Sequence, residues 1–420
     1  EHFTLMLLNI TRFGVLKAPQ ALNFARTITT AGSSATTEYS RSCRVTGENK
    51  QQNNFFDNTS GHQIHTTCLN FSSNNYLGLN KTHEVIKVAQ YALEAHGTRR
   101  KPSTITTDNI SQTLEQQLAA FHKQEDCVVY PSGYDANVGV FEALVSTNDA
   151  IICDEDNHPT ILDGTRFSKA KVYMYKHLDI QDLKETLDTA KEKGAQRTLV
   201  ITQGVFPNTN EIAPLKQIGK VCNDADSMLA VDDTHCVGDS NEKSEFYDVE
   251  KVIINSTFSN GSGGAYTTGM KEIIDSIRKN ARPYLFSNTL YPPAVQAASI
   301  AMELIENRRS DILRLFENAT MFRSKMRDAG FIVHGDNLPN CVIYIGDHTD
   351  AKNFAEDLRA YGILVQALCA HVTLDGAFIR VNMNANHTTK DIERCVEAFI
   401  EVERSYNVIS RNNELHASCQ

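Results

Sequence analysis

The sequence predicts an α/β protein in which a large, mostly parallel sheet is followed by a smaller C-terminal α/β domain. Short runs of β-branched residues alternate with segments of helical spacing through the middle of the chain, and this alternation is typical of parallel strands joined by crossover helices. The chain has 420 residues, of which 41% are hydrophobic and 22% charged. It can therefore bury the large core that such a sheet needs.

The strands and helices of the large sheet are predicted to alternate. A strand with a polar turn at 65–80 and two helices at 82–97 and 109–124 come first. The predicted strands that follow are the runs CVVY, AIICD, KVYMY, TLVIT, MLAVDD and KVIINSTF. Helices are predicted between them at 134–145, 159–167, 180–193 and 213–223.

The remainder of the chain predicts a second, smaller α/β unit. A long helix begins within 291–305 with proline in its first turn, and 311–330 is also helical in pattern. The later elements are the strands VIYIGD, ILVQAL and AFIRVNM and the helices 350–361 and 388–405. We expect four segments: a targeting-like arm at 1–45, an N-terminal part of the small domain at 46–85, the large domain at 86–305 and the C-terminal small α/β domain at 306–420.

Composition argues against several classes of function. The formal net charge of −10 disfavours a nucleic-acid partner, which requires a basic surface. No run reaches the roughly 20 apolar residues that span a bilayer, so no transmembrane segment is expected. The ten cysteines are scattered without a Cys-x-x-Cys pair, which favours reduced thiols over a disulfide framework or a metal site.

The first part of the chain has the pattern of a mitochondrial address. Between Met6 and Thr37 there is no acidic residue, and basic residues punctuate an apolar segment that ends rich in Ser and Thr. This pattern is typical of mitochondrial presequences and predicts a location on the matrix side. A disordered basic arm is the alternative interpretation.

Polar residues follow the predicted strands at the points where they end. The segments are YPSGYDAN, DEDNH, QGVF, DDTH and the SN that follows KVIINSTF. In an open α/β sheet, ligands bind beyond the carboxyl ends of the strands. Five such strand ends are therefore expected to surround one crevice, which indicates a functional site more strongly than any single motif does.

Three of these segments suggest chemistry on their own. Asp232 and His235 would suit the ring nitrogen and the adjacent oxygen of pyridoxal phosphate (PLP); a helix cap by Asp233 beside a buried structural histidine is the alternative. The amides after Ser132 begin a helix and would suit a phosphate, or they form an ordinary turn. His158 precedes a helix, where it would stack on a flat ring or simply be exposed.

The order of several motifs resembles that of the α-oxoamine synthases. NFSSNNYLGL, AIICDEDNHPTILDGTRFSKAK, LAVDDTHCVG and ARPYLFSNTLYPPAVQAASI occur in the family's order, and the similarity extends over residues 65–405. The resemblance implies a PLP-dependent transferase of fold type I that condenses an amino acid with an acyl-CoA, most like the glycine C-acetyltransferases of that family. It also implies a homodimer with the active site at the subunit interface.

The same resemblance implies a role for each candidate residue. His158 would stack on the PLP ring, Asp232 would pair with its nitrogen, and His235 would contact its phenolic oxygen. The residues expected at the phosphate are Ser132, Gly133, Tyr134 and Thr257, with Ser287, Asn288 and Thr289 from the neighbouring subunit. Asn74 and Arg380 would hold the carboxylate of glycine, a task that suits the planar fork of arginine.

One position breaks the family pattern. Where the family has the Schiff-base lysine, this chain has Asn260, in STFSNGSGGAYTTG. The amide nitrogen of asparagine can neither form that bond nor remove the α-proton of glycine, and loss of a general base costs roughly 10²–10⁴ in rate. The first lysine after Asn260, Lys271, lies beyond the next strand.

Further departures surround the same pocket. Pro207 stands where the family has a serine, Gln203 replaces an aspartate, and the stretch 96–109 lacks the family's glycine pattern. We predict a catalytically inactive member of the family that acts as a structural or regulatory subunit of a homodimer, of a heterodimer with an active paralogue, or of a larger mitochondrial complex. Two alternatives stay open. One is an active acyl-CoA:glycine C-acyltransferase that uses another lysine or non-covalent PLP; the other is a module that binds a different anion.

Overall fold

The computed structural model describes residues 52–55, 66–98, 109–236, 251–258, 262–335, 338–368 and 376–410. The chain divides into two units, residues 1–67 and 68–420. In the first unit the structure describes the strand β1 (Gln52–Phe55) and the first residues of the strand β2 (Thr66–Asn70). The predicted targeting arm lies outside the described residues. The elements that follow belong to the second unit.

The second unit alternates strands and helices largely as predicted. Its further strands are β3 (Asp126–Tyr130), β4 (Ala150–Asp154), β5 (Lys171–Tyr175), β6 (Thr198–Gln203), β7 (Val205–Phe206), β8 (Glu211–Ile212), β9 (Met228–Asp232), β10 (Val252–Thr257), β11 (Ala265–Gly269), β12 (Val333–His334), β13 (Asn340–Gly346), β14 (Ile363–Leu364), β15 (Gln366–Leu368) and β16 (Ala377–Asn382). Its helices are α1 (His83–His96), α2 (Asn109–Phe121), α3 (Gly133–Leu144), α4 (Pro159–Phe167), α5 (Ile180–Glu192), α6 (Leu215–Asp224), α7 (Lys271–Asn280), α8 (Arg282–Phe286), α9 (Pro292–Asn307), α10 (Arg309–Asp328), α11 (His348–Ala360) and α12 (Thr389–Tyr406).

The large sheet has seven strands in the order β3-β11-β10-β9-β6-β4-β5. β11 runs antiparallel to both of its neighbours, whereas the other strands share one direction. β4 and β6 are buried along their whole length, as expected when helices cover both faces of a parallel sheet. The predicted α/β architecture with a mostly parallel sheet is confirmed.

Successive residues of each strand face opposite sides of this sheet. Ile151 belongs to the hydrophobic cluster that includes Phe141 of α3 and Ile274 of α7. The next residue, Ile152, belongs to the cluster that includes Leu187 of α5. Full burial of one such side chain contributes roughly 1.5–3 kcal/mol, so these two faces are a major source of the unit's stability.

A smaller antiparallel sheet follows, in the order β12-β13-β16-β15. It shares one hydrophobic cluster with α10, α11 and α12. α12 begins with a capping box between Thr388 and Asp391, which satisfies backbone N–H groups of the first helical turn. The smaller C-terminal α/β part is therefore confirmed, while the four predicted segment boundaries stay predictions.

The structure differs from the predicted elements in a few places. ILVQAL, predicted as one strand, is two, because β14 pairs with β2 and β15 pairs with β16. The hairpin β7–β8 was not predicted, since strands of two residues show no periodicity. β12, α7 and α8 were also not predicted as elements. None of the helices in the described part of the chain has both the length and the apolarity to cross a membrane.

Candidate functional site

The candidate site lies where the parallel strands of the large sheet end. Asp232, the last residue of β9, pairs in register with Asn255 of β10 and Gln203 of β6. At the same edge, Tyr130 ends β3 opposite Ala265, the first residue of β11. The structure therefore brings together strand ends that the sequence predicted to meet.

Asp232 is a buried carboxylate held by neutral donors. It is 9% exposed. Its Oδ2 accepts a hydrogen bond from Asn137 Nδ2 at 3.0 Å, and its Oδ1 accepts one from the backbone N–H of Thr234 at 3.1 Å. The described residues give it no cationic partner. Because burying an unpaired charge is costly, this arrangement suits a ligand that brings its own positive charge, such as a protonated pyridine nitrogen.

Asn137 connects Asp232 to a buried polar network that the sequence analysis missed. Its amide also donates to Thr160 Oγ1 at 3.0 Å, and its Oδ1 accepts from Asn255 Nδ2 at 2.9 Å. Asn255 Oδ1 in turn accepts from Thr267 Oγ1 at 2.7 Å. A fully satisfied buried network of this kind rigidifies the groups it holds, so Asp232 has a fixed orientation.

His158 is exposed and caps a helix. It is the N-cap of α4, and its Nδ1 accepts from the backbone N–H of Thr160 at 3.2 Å and lies 2.8 Å from Thr160 Oγ1. The same Thr160 hydroxyl contacts Asn137, so the network that holds Asp232 also fixes the histidine. Its exposed ring is compatible with stacking on a cofactor, and that role stays a prediction.

His235 is hydrogen-bonded to a tyrosine that the sequence analysis had not selected. Its Nδ1 lies 2.8 Å from the hydroxyl oxygen of Tyr76. Burial, together with the positive charge of Arg380 and the nearby His158, lowers the pKa of His235 to about 3. The imidazole is therefore neutral at physiological pH and is available as a hydrogen-bond partner for an oxygen atom.

The predicted phosphate end is the start of α3. Ser132 is its N-cap; the Ser132 hydroxyl accepts from the Asp135 N–H at 3.2 Å and donates to the Asp135 carboxylate at 2.7 Å. A Cβ atom added to Gly133 would lie 2.8 Å from Thr257 Cγ2, so only glycine permits this close approach. The first N–H groups of the helix have no intrahelical partner and can receive an anion. Tyr134 is exposed beside them.

Ser287, Asn288 and Thr289 lie in the segment between α8 and α9. Leu290, which follows them, packs against the turn before β11, since a Cβ added to Gly264 would lie 2.7 Å from Leu290 Cδ1. Asn288 is exposed, and Ser287 and Thr289 are half-buried. Their predicted contact with the phosphate of a neighbouring subunit concerns a second chain and stays a prediction.

Arg380 is a buried cation whose hydrogen bonds go to neutral side chains. It is 9% exposed. Its Nη1 donates to Asn208 Oδ1 at 3.3 Å and its Nη2 to Gln366 Oε1 at 2.5 Å, while its Nε has no partner among the described residues. Burial lowers the pKa of this guanidinium. An anionic ligand, such as a carboxylate, would supply the missing counter-charge.

Asn74 is linked by the side chain of Asn382 to the strand that carries Arg380. Its Oδ1 accepts from Asn382 Nδ2 at 2.9 Å. Asn382 and Arg380 are two residues apart on β16 and therefore share a face of the strand. The structure thus brings the two predicted carboxylate-binding residues to the same region.

Asn260 lies outside the described residues, but both ends of its segment are described. Thr257 pairs with Ala265, and the Phe258 N–H donates to Gly264 O at 3.0 Å. The β10–β11 connection, residues 258–264, therefore leaves and re-enters the sheet at the edge that carries Asp232. No lysine occurs in this connection.

Lys271 lies at the opposite edge of the sheet. It follows β11, whose last residue, Gly269, pairs with Asp126 at the start of β3. Its backbone N–H donates to Glu125, and its Nζ lies 3.1 Å from Asp275 Oδ2. A five-residue strand spans about 17 Å at ~3.4 Å per residue, so Lys271 is too far away to replace the missing amine.

The described residues fit the binding of PLP but not its covalent attachment. Asp232 suits the ring nitrogen, neutral His235 suits the phenolic oxygen, and the start of α3 suits the phosphate. Arg380 suits the carboxylate of an amino-acid substrate. The β10–β11 connection offers no amine for the bond that fixes the cofactor.

The fold and this site define a class of protein. The chain belongs to the aminotransferase class I and II family, whose sequence pattern matches residues 66–399. Within it, the chain is 39% identical over 353 residues to the mitochondrial 2-amino-3-ketobutyrate coenzyme A ligase of Bos taurus, covering 81% of this chain and 84% of that protein. It is 38% identical over 354 residues to the ligase of Escherichia coli K12, covering 81% and 89%. The resemblance to the α-oxoamine synthases is confirmed.

Solved structures share the fold. Serine palmitoyltransferase from Sphingomonas wittichii has a TM-score of 0.79 at 22% identity, covering 92% of this chain and 97% of that one. The 8-amino-7-oxononanoate synthase of Francisella tularensis has a TM-score of 0.68 at 23% identity, covering 81% and 99%. These likenesses confirm the predicted PLP-dependent transferase fold of type I.

Proposed function

We propose that this chain is a catalytically inactive relative of the 2-amino-3-ketobutyrate coenzyme A ligases that retains a non-covalent PLP pocket. It would act as a structural or regulatory subunit of a dimer or of a larger mitochondrial assembly. The observation that carries the proposal is the β10–β11 connection, which has Asn260 and no lysine beside the carboxyl end of β9. The acid-free N-terminal segment and the mitochondrial names of the Bos taurus and Homo sapiens relatives support the location, for which we propose the matrix side.

The chemistry of the site explains why one residue decides its activity. When bound, PLP supplies an electron sink for a carbanion. Asp232 would keep the ring nitrogen protonated, and Arg380 with Asn74 would orient a carboxylate. No atom of Asn260 can take the α-proton of glycine, because the lone pair of an amide nitrogen is delocalised. The pocket would therefore bind its ligands without moving that proton, at a loss of roughly 10²–10⁴ in rate.

Two observations favour the alternative of an active acyl-CoA:glycine C-acyltransferase. Asp232, His235 and Arg380 are all present at the site, and identity to the Bos taurus ligase is 39%. Lys271 cannot contribute, for the reason of distance given above. This alternative would need a lysine from elsewhere in the chain, such as Lys101 or Lys243, which lie outside the described residues, or PLP held without a covalent bond.

A direct assay separates the two functions. We expect purified protein with PLP, glycine and acetyl-CoA to release no coenzyme A above the rate without protein. After borohydride treatment, mass spectrometry should find no lysine that carries the cofactor. The Bos taurus ligase, prepared in parallel, provides the positive control for both measurements. Coenzyme A release, or a trapped lysine such as Lys101, would establish the active enzyme instead.

The substitution Asn260→Lys sharpens this experiment. It restores an amine at the family position, so borohydride should now trap PLP on residue 260 if the pocket still binds the cofactor. We expect little turnover, because Pro207 and Gln203 also depart from the family pattern. A variant that neither binds nor traps PLP would show that the pocket itself has been lost, which would contradict the proposed retention of PLP.

A further inference from the structure

Tyr76 and His235 form a pair from distant parts of the chain. Tyr76 precedes α1 and is fully buried, and its hydroxyl oxygen lies 2.8 Å from His235 Nδ1. The two rings meet edge to face, with centroids 6.3 Å apart and an interplanar angle of 76°. The backbone of Tyr76 is anchored as well, since its carbonyl oxygen accepts from the Ala385 N–H at 2.7 Å.

The direction of the hydrogen bond follows from the needs of the tyrosine. A buried tyrosine hydroxyl must find an acceptor for its proton. Two polar side chains interact with this hydroxyl: His235 Nδ1 at 2.8 Å, and the Asn340 side chain, which lowers the pKa of the phenol as a hydrogen-bond donor does. The acceptor of the pair is therefore His235 Nδ1. If Nδ1 carried the proton instead, Tyr76 would have to accept that bond, and its own O–H would be left without a partner at a cost of about 1–3 kcal/mol.

The pKa shifts of Tyr76 and His235 agree with this direction of the hydrogen bond. Burial raises the pKa of Tyr76, so the hydroxyl keeps its proton. Burial and the charge of Arg380 lower the pKa of His235, so the imidazole is neutral. A neutral imidazole that accepts at Nδ1 carries its proton at Nε2.

We propose that Tyr76 is a positioning residue that fixes His235 as the Nε2–H tautomer, so that the imidazole presents a hydrogen-bond donor to the phenolic oxygen of the cofactor. This inference rests on the proposed PLP pocket. Recognition of an oxygen acceptor requires this N–H donor. The opposite tautomer would place a lone pair against that oxygen and weaken binding. Tyr76 would thus select PLP-like ligands without touching them.

The tautomer can be read in the protein without any ligand. Protein labelled with ¹⁵N-histidine gives separate nitrogen resonances for Nδ1 and Nε2, and His235→Gln identifies the His235 signals. We expect the wild type to show protonated Nε2, and Tyr76→Phe to show a mixture of both tautomers. Tyr175→Phe is the matched control, because Tyr175 is also buried and its hydroxyl has no hydrogen-bond partner among the described residues. A wild-type protein protonated at Nδ1 would overturn the proposal.

Ligand affinity gives a second readout. Pyridoxine 5′-phosphate cannot bond to a lysine, and its 3-deoxy analogue lacks the phenolic oxygen. We expect wild type and Tyr175→Phe to bind pyridoxine phosphate roughly 10-fold tighter than the analogue, the scale of one hydrogen bond. Tyr76→Phe should reduce this preference several-fold. An unchanged preference would contradict the role of Tyr76. If the wild type bound neither compound, the proposed pocket would fail, while the nitrogen resonances would still decide the tautomer.

Discussion

At the scale of single residues, Asp232 and Arg380 are opposite charges, each buried beside neutral hydrogen-bond partners. Asn137 and Thr234 hold the carboxylate, and amide oxygens hold the guanidinium. Unpaired buried charges reduce stability, and proteins retain such groups where a ligand supplies the counter-charge. The two buried charges therefore support the proposed pocket, which binds charged ligands without catalysing a reaction.

Arg380→Gln is expected to stabilise the free protein and to remove ligand binding. Burial lowers the pKa of Arg380, which reflects the cost of its charge. We expect the free energy of unfolding to rise by about 1 kcal/mol, as measured by urea denaturation. Glycine should stabilise the wild type by mass action and leave the variant unaffected.

A paired arginine gives the contrast for this experiment. Arg278 Nη2 lies 3.0 Å from Glu115 Oε2, and its Nη1 lies 2.5 Å from Asp126 Oδ2. Removal of the Arg278 guanidinium leaves the buried carboxylate of Glu115 without its cation. Arg278→Gln should therefore lower the free energy of unfolding by about 3 kcal/mol. If Arg380→Gln were destabilising to a similar degree, the guanidinium would already have its counter-charge within the folded chain.

At the scale of elements, the β7–β8 hairpin links Arg380 to a charged cluster on the large sheet. Its turn carries Asn208, which accepts from Arg380. Its second strand carries Glu211, whose Oε2 lies 3.1 Å from His177 Nε2, and His177 Nδ1 lies 2.8 Å from the buried Asp154 Oδ1. The hairpin is therefore fixed to the ends of β4 and β5 by one histidine.

The stability that this cluster provides is expected to depend on pH. Burial opposes the charged form of His177, but hydrogen bonds to Asp154 and Glu211 outweigh it and raise the pKa to about 10. A raised folded-state pKa stabilises the protein fully below the unfolded value of about 6.5. That contribution declines as the pH rises, and it is lost as the pH passes the folded-state pKa of about 10. We expect His177→Gln to cost about 2 kcal/mol at pH 6, and much less at pH 10, in urea denaturation.

An exposed histidine provides the control. His96, at the end of α1, is exposed, so His96→Gln should change the free energy of unfolding by less than about 0.5 kcal/mol at either pH. A pH-independent loss in His177→Gln would show that packing against Phe206, and not the charge, holds the hairpin.

Local pattern predicted the elements far better than the contacts between them. The strand ends, the start of α3 and the position of His158 before α4 follow from periodicity and helix-start rules, and Asp232 stands out as a charge at the end of an apolar run. Asn137 meets Asp232 across 95 positions, Tyr76 meets His235 across 159, and Arg380 meets Asn208 across 172. Such pairings depend on the order of strands in a sheet, which no local pattern contains. A buried asparagine within α3 was the one available signal.

At the scale of the whole molecule, stability and catalysis depend on different parts of the chain. The hydrophobic clusters lie on the two faces of the sheet, and the polar network around Asn137 is built into them. The β10–β11 connection lies at the edge and contributes one catalytic residue in the family pattern. A lysine can therefore be lost there while the fold and the pocket are retained, as the proposed non-catalytic role requires.

A subunit role requires a surface for a partner, and we predict that surface around α3 and α8. Tyr134, Phe286 and Tyr291 are 41%, 73% and 42% exposed, and they lie on or beside α3, α8 and α9. α8 packs on α3. Exposed aromatic side chains are enriched at the centre of protein interfaces, and Ser287–Thr289, expected to reach a second subunit, directly follow Phe286.

Substitution of Phe286 tests whether this surface holds two copies of the chain together. Wild-type protein should have twice the chain mass of 46.8 kDa by light scattering, and Phe286→Glu should have the mass of one chain, because a buried unpaired carboxylate disfavours association. Phe286 is mostly exposed in the single chain, so the variant should remain folded. Leu313→Glu, at a similarly exposed position of α10, should remain a dimer. A monomeric wild type would exclude the homodimer; recovery of an active paralogue with the protein purified from its own source would then assign the surface to a heterodimer.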